Sequence, residues 1–284
     1  MALGLKTTVI GANVSADLGL TQSVSDDLDA AALAFGSDLM LRIDPRDVTR
    51  TTANPTGEKV VHFTGPNRDP LLFRNPASVS IGPVSGLYDG KDVFVLASAA
   101  NAGEANDLAV YFNHMDSAVA FTVVGVAHVD AAMLGSGYHG LLVFRRDGSN
   151  LESALVHQYS GGVNYLSGFA DQGGGGGANH NLDTSTVIAA DTPFVFTWQV
   201  LSTGGTKLFI NTDLATNIFA GVGSGVPETG TMKLLIGTTG IYNQQWLGGA
   251  GRTFVVRGDT LDTPERAGLT LALVAEMMSY HGVA

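Results

Sequence analysis

Phe194-Val195-Phe196-Thr197-Trp198-Gln199-Val200 is the stretch from which the architecture of this chain can be read. Phe194, Phe196, Trp198 and Val200 alternate with Val195, Thr197 and Gln199, the period-2 pattern that sends successive side chains to opposite faces of a strand. Leu201 to Thr206, with Gly204-Gly205 inside it, then turns the chain into Lys207-Leu208-Phe209-Ile210, which predicts an antiparallel hairpin. Upstream, residues 118–129 are apolar on both faces, Phe121 and Val123 against Val124 and Val126, as expected of a central strand covered on both sides.

Working outward, further strand-like runs are found at 60–64, 78–82, 93–98, 108–113, 140–146, 153–159, 163–169, 232–237 and 252–257. They recur every 10 to 20 residues or so and are separated by Gly, Asn, Asp and Pro, which is the signature of an all-β sandwich or barrel. Burial of one aromatic or branched side chain contributes about 1.5–3 kcal/mol, so these runs can carry a fold.

Two segments read as helical. Ser25 is a candidate N-cap, with Asp26 and Asp27 in the first turn, and Leu28, Ala31, Ala32 and Phe35 recur at helical spacing before Gly36. A short strand follows, with Leu39, Leu41 and Ile43 on one face, ended by Pro45. Residues 46–58 are polar and turn-rich, and read as a linker or exposed loop. The expected division is therefore an N-terminal arm or docking segment over 1–58 and a sandwich over 59–284. The arm has two readings, a contact to another subunit and a lid on its own sandwich. The second helix begins with Thr263 as cap, Pro264 at the first helical position and Glu265 in the first turn. Its apolar stripe is Leu269, Ala272, Leu273, Met277 and Tyr280, and Gly282 ends it. The glycine run from Asp171 to Asn181 reads as a flexible loop.

Composition narrows the function. Only 14% of the 284 residues are charged, against about a quarter in ordinary soluble domains, so part of the surface is expected to be covered by neighbouring molecules. A net charge of −11, with Arg145-Arg146 the densest basic pair, argues against nucleic acid as partner. The chain has no cysteine, which excludes disulfides, thiolate metal sites and cysteine nucleophiles. No run approaches the about 18 apolar residues of a membrane span, and Met1 to Ile10 does not read as a secretory signal.

The order of motifs from Ala118 onward resembles the concanavalin A-like (laminin G-like) jelly-roll superfamily. Ala120 to Val126 is similar to that family's long central strand, and Phe196 to Val200 with Lys207 to Asn211 to its paired strands around a turn, where Asn211-Thr212-Asp213 replaces the more usual Asn-Gly. Lys233-Leu234-Leu235-Ile236-Gly237, Trp246 to Val256 and Leu261 to Arg266 are similar to its later strands and closing helix start. The resemblance implies an antiparallel two-sheet jelly-roll sandwich. Members with low charge, no signal and a private N-terminal segment resemble bacteriophage tail, fibre or decoration proteins. It thus implies a non-enzymatic structural subunit of a virion surface, assembled in the host cytoplasm with copies of itself and other virion proteins. The alternative is a carbohydrate-binding module for attachment to a cell-surface glycan.

Chemistry-bearing patterns are sparse. Hydrolases of the resembled family carry a Glu-x-Asp-x-x-Glu strand, whereas Glu58, Glu104, Glu152, Glu228, Glu265 and Glu276 are scattered here, so no enzyme is expected. The seven histidines show no zinc-binding spacing; His128 and His157 sit in strands. Gly223-Ser224-Gly225 is not in register for a serine nucleophile. No cofactor is expected, although calcium remains an option through Asp171, Asn179, Asn181 and Asp183, or through Asp89 and Asp92. Sugar binding needs an aromatic platform beside amides or carboxylates. Two places meet that need: Tyr165 and Phe169 with Asp171 and Asn179, and Tyr242-Asn243-Gln244-Gln245-Trp246. Trp246 fits two readings, a ligand contact and a plug of the core.

Overall fold

The computed structural model describes residues 26–47, 49–53, 59–62, 71–73, 79–96, 108–112, 120–146, 151–170, 178–183, 188–201, 205–211, 232–237 and 245–284. The strands before the centre of the chain are β1 (Leu39–Ile43), β2 (Thr49–Ala53), β3 (Lys59–His62), β4 (Leu71–Phe73), β5 (Val79–Pro83), β6 (Asp92–Leu96) and β7 (Leu108–Phe112). Then come β8 (Phe121–Val129), β9 (Tyr138–Arg146), β10 (Leu151–Ser160), β11 (Val163–Ala170) and β12 (Ala178–Asp183). The last are β13 (Phe194–Val200), β14 (Thr206–Ile210), β15 (Met232–Ile236) and β16 (Gly248–Arg257). Helix α1 spans Asp27–Leu33 and α2 spans Pro264–His281.

They form two antiparallel sheets. The first runs β14-β13-β8-β16-β6-β5, with β1 also paired to β16; the second runs β12-β11-β10-β9-β15-β7-β4-β3-β2. The hairpin expected from alternation is present, with Phe196 opposite Ile210 and Val200 opposite Thr206. The inward residues of β8 and β13 (Phe121, Val123, Phe194, Phe196, Trp198, Val200) pack against Leu142, Phe144, Leu155, Leu166, Leu234 and Ile236 of the second sheet. Phe121 and Phe144 lie with ring centroids 4.5 Å apart, and buried Trp198 donates its Nε1–H to Thr206 Oγ1 at 2.8 Å. On the opposite face of the first sheet, Val124, Val126, Val195, Phe254 and Val256 are covered by Leu28 and Ala32 of α1 and by Leu273, Val274 and Met277 of α2. Both faces of β8 are thus filled, and all nine of its residues are buried.

The described residues of the N-terminal segment up to Asp47 pack on the first sheet. β1 pairs with β16 from Leu39–Val256 to Ile43–Thr253, and α1 packs beside α2, so residues 26–47 belong to this chain's own sandwich. An ionic cluster fixes them. Arg252, buried in β16, reaches Asp26 at 2.5 Å and Asp44 at 2.6 Å, while Arg42 holds Asp29 at 2.7 Å. The Arg252 Nε–Asp44 contact is an ion pair off the line of a hydrogen bond. Asp26 rather than Ser25 caps α1, its Oδ1 accepting from Asp29 N at 3.0 Å, because Asp26 is the last extended residue before the helix.

Three strands escape the alternation. β2 lies in the stretch read as linker, β4 is three residues long, and β12 falls in the glycine run read as a loop. β12, at the edge of its sheet, is made of Ala-Asn-His-Asn-Leu-Asp, residues with little strand preference, and is held by its ladder to β11. In α2, Thr263 and Pro264 begin the helix and Gly282, at φ 62°, ends it as read. The buried stripe is Thr270, Leu273, Val274, Met277 and His281, so Ala272 faces out and Val274 in.

Candidate functional site

The second sheet places four strands side by side at its β12 edge, and their register builds a row across its outer face. Gln158 of β10 pairs with Tyr138 of β9 on one side and Tyr165 of β11 on the other; Tyr165 in turn pairs with Asp183 of β12. Asn181 and Asn179 follow at alternate positions of β12, in register with Ser167 and Phe169. The register therefore sets Tyr165 between Gln158 and Asp183 across the sheet.

Exposure limits where a ligand can touch. Tyr138, Gln158 and Tyr165 are half-buried, whereas Val156 and Ser167 in the next row have no exposed surface. Tyr138 packs on the small apolar cluster of Val143, Ala154, Val156 and Leu235. Burial pushes its phenol up to about 12, so at neutral pH it is a hydroxyl able to donate. Gln158 Oε1 is buried without a hydrogen-bond partner among the described residues. The row therefore carries two half-buried tyrosine rings on either side of a glutamine.

Asn179 lies in β12, while Asp171, Tyr242 and Asn243 fall outside the described residues. Trp246 is fully buried, and its Nε1–H donates to the backbone oxygen of His128 at 2.9 Å. It plugs the core ahead of β16, which corrects its candidacy as a ligand contact. Tyr138 and Gln158 were not singled out from sequence, because their place beside Tyr165 depends on strand register, and register across three strands is not written locally.

The strand histidines serve the fold. His157 Nε2 lies 3.1 Å from Asn164 Oδ1, which also accepts from Gly135 N, and burial pushes its imidazole down to about 4. His139 Nδ1 donates to the Gln245 carbonyl at 2.7 Å, and Tyr88 hydroxyl meets His128 Nδ1 at 2.7 Å. Asp26, Asp29 and Asp44 come together, but each is ion-paired to arginine and so is not placed for acid–base exchange. Among the described residues no three His, Asp or Glu side chains are grouped to hold a metal ion. Of the calcium candidates, Asp89 sits at φ 51° in the turn Tyr88–Gly90 and Asp92 opens β6.

No family model and no curated protein matches the sequence. Among solved structures, the fold is similar to the binding domain of botulinum neurotoxin serotype D, at TM-score 0.55 and 12% identity over 85% of this chain and 52% of that one. It is also similar to the binding domain of paraclostridial mosquitocidal protein 1, at TM-score 0.51 and 15% identity over 84% of this chain and 56% of that one. The chain thus spans about half the length of these structures, and at such identities the likeness is one of fold. The class defined is a two-sheet antiparallel β-sandwich with helices over one face.

Proposed function

We propose that this chain is a non-catalytic interaction domain that takes a carbohydrate on the outer row of its second sheet. The observation that carries the reading is the register of Tyr138, Gln158, Tyr165 and Asp183 across β9 to β12. A half-buried tyrosine offers a sugar ring an apolar plane, and the half-buried Gln158 beside it sets an amide next to that plane. The low charge of the chain and its resemblance to phage particle proteins support a setting as a repeated subunit of a virion surface, where such a row would meet a host glycan.

The test is binding to an array of cell-surface glycans by the intact chain and by Tyr165→Ala and Gln158→Leu. Binding by the intact chain that falls at least about tenfold in both variants, with circular dichroism unchanged, supports the reading. Absence of binding to any glycan, or binding indifferent to both changes, overturns it.

A further inference from the structure

Two histidines meet beside the candidate row. The register of β9 and β10 sets His139 directly opposite His157, one residue from the Tyr138–Gln158 pair, with ring centroids 6.1 Å apart. His157 is fully buried and His139 half-buried. Each is held by an oxygen of another segment. His139 Nδ1 lies 2.7 Å from the Gln245 carbonyl, which can only accept, so that nitrogen carries the hydrogen and Nε2 the lone pair. Nε2 lies 3.3 Å from Ser136 Oγ, a group able to donate or accept. His157 Nε2 lies 3.1 Å from Asn164 Oδ1, and that oxygen also accepts from Gly135 N at 3.0 Å. His157 Nε2 is therefore the donor. Its lone pair sits on Nδ1, buried with no hydrogen-bond partner among the described residues.

The pair joins three pieces of chain: the turn over 130–137 between β8 and β9, the start of β11, and the segment ahead of β16. Tyr159 N, donating to Gly137 O at 2.9 Å, fastens the same turn to the end of β10. A neutral His157 fits this setting. A protonated one puts a second N–H and a positive charge where no described group accepts them, and an unmatched buried charge is costly. The titratable groups on the surrounding elements are Tyr138 and His139 of β9, Tyr159 of β10, Tyr165 of β11 and Asp130 of the turn. Asp130 Oδ1 accepts from Ala132 N in its own turn, and its charge acts on His128. Gln245 and Trp246, ahead of β16, carry no charge. Among the described residues the charge that acts on His157 is that of His139, which has the same sign.

We infer that the His139–His157 pair is an acid-opened clasp on the candidate row: a proton on His157 frees the 130–137 turn and the Asn164 end of β11, and so unsettles Tyr138, Gln158 and Tyr165. Release of ligand on the acid side is its consequence, and that consequence rests on the row being the ligand site. Burial, with His139 adding to it and the Asn164 contact opposing, pushes His157 down to about 4 from the ordinary 6.5. In the opened form the ring regains water and its ordinary affinity for protons. Between about pH 6.5 and about 4 each pH unit of acid therefore favours opening about tenfold, and above that window the clasp is closed.

Amide hydrogen exchange of the full chain from pH 7 to pH 4, each rate divided by the unfolded-chain rate at that pH, tests the clasp without a ligand. Protection at Gly135 and Tyr159 should fall about tenfold per pH unit below about pH 6.5. Val124 of β8 should stay at least about a hundredfold better protected throughout. His157→Gln keeps a donor for Asn164 Oδ1 and cannot titrate, so the fall should vanish there. In the unaltered chain the His157 ring, followed by NMR, should titrate near 4, where the fall levels off. Constant protection, protection no lower than that of Val124, a His157 ring that titrates near its ordinary value, or a fall that persists in His157→Gln at native circular dichroism overturns the clasp. The glycan array, repeated at pH 7 and pH 4, reads the consequence. Binding lost at pH 4 by the intact chain and kept by His157→Gln supports it; binding kept by both overturns the link to the row. Absence of binding at pH 7 overturns the row as a ligand site, while the exchange result still decides the clasp.

Discussion

Arg252 lies beneath Tyr280, its guanidinium carbon 4.2 Å from the ring centroid, while its nitrogens hold Asp26, Asp29 and Asp44. One side chain of β16 therefore ties the last turn of α2 to both α1 and the end of β1. Desolvating so many charges is costly, and the cluster contributes to register more than to raw stability.

Removing that arginine should be severe. Arg252→Met leaves three carboxylates short of a counter-charge, of which Asp29 and Asp44 are fully buried, and an unpaired buried charge costs about 3–5 kcal/mol. Urea denaturation should show a loss of that order. Arg252→Lys should recover little of it, because an ammonium cannot serve three carboxylates and lie flat under Tyr280.

Stability should fall on the acid side of neutrality. His281 is fully buried, neither ring nitrogen has a hydrogen-bond partner among the described residues, and burial, with Lys91 and Arg46 nearby, pushes it down to about 3. His157 is pushed to about 4, also by burial. Both are lower folded than unfolded, so the unfolded chain binds more protons below about pH 6.5. Their contribution is complete above that pH and is lost as pH falls toward 4 and 3, each by up to about 1.4 kcal/mol per pH unit. Melting temperature against pH should flatten in His281→Leu; an unaltered slope would contradict the assignment.

Trp246 and Tyr165 should separate cleanly. Trp246→Ala empties a core site and should cost about 3–5 kcal/mol, whereas half-buried Tyr165→Ala should cost about 1 kcal/mol. Thermal melts of the two, run beside glycan binding, distinguish a plug from a contact.

Gly125→Ala should destabilise the chain although it sits in mid-strand. A Cβ there would stand 2.5 Å from Phe196 Cζ and 2.9 Å from Thr253 Oγ1, so the central ring of the core must move. Overpacking of this kind costs about 1–3 kcal/mol, measurable by denaturation.

Legibility in the sequence followed the strength of the physical pattern. β13 and β8 could be read because their apolar residues satisfy two covered faces at once, and α2 because Thr263, Pro264 and Gly282 mark its ends chemically. β12 could not be read, since Asn179, Asn181 and Asp183 gain their strand conformation from the ladder to β11. The same reason hid Tyr138 and Gln158: the candidate row exists only after three strands align. Arg42, Asp44 and Arg252 looked like ordinary polar residues, because nothing local tells that α1 and β1 fold back over β16.

The filling of β8 from both sides has a consequence for how the protein is made. Its outer residues, Val124 and Val126, are roofed by α2, which follows every described strand in the chain. While the polypeptide is being synthesised, that greasy surface has only α1 over it until residues beyond Arg257 emerge. A nascent chain stalled before Pro264 would present it to any passing hydrophobe, so chaperone capture should be strongest at that length and should end within the next few turns.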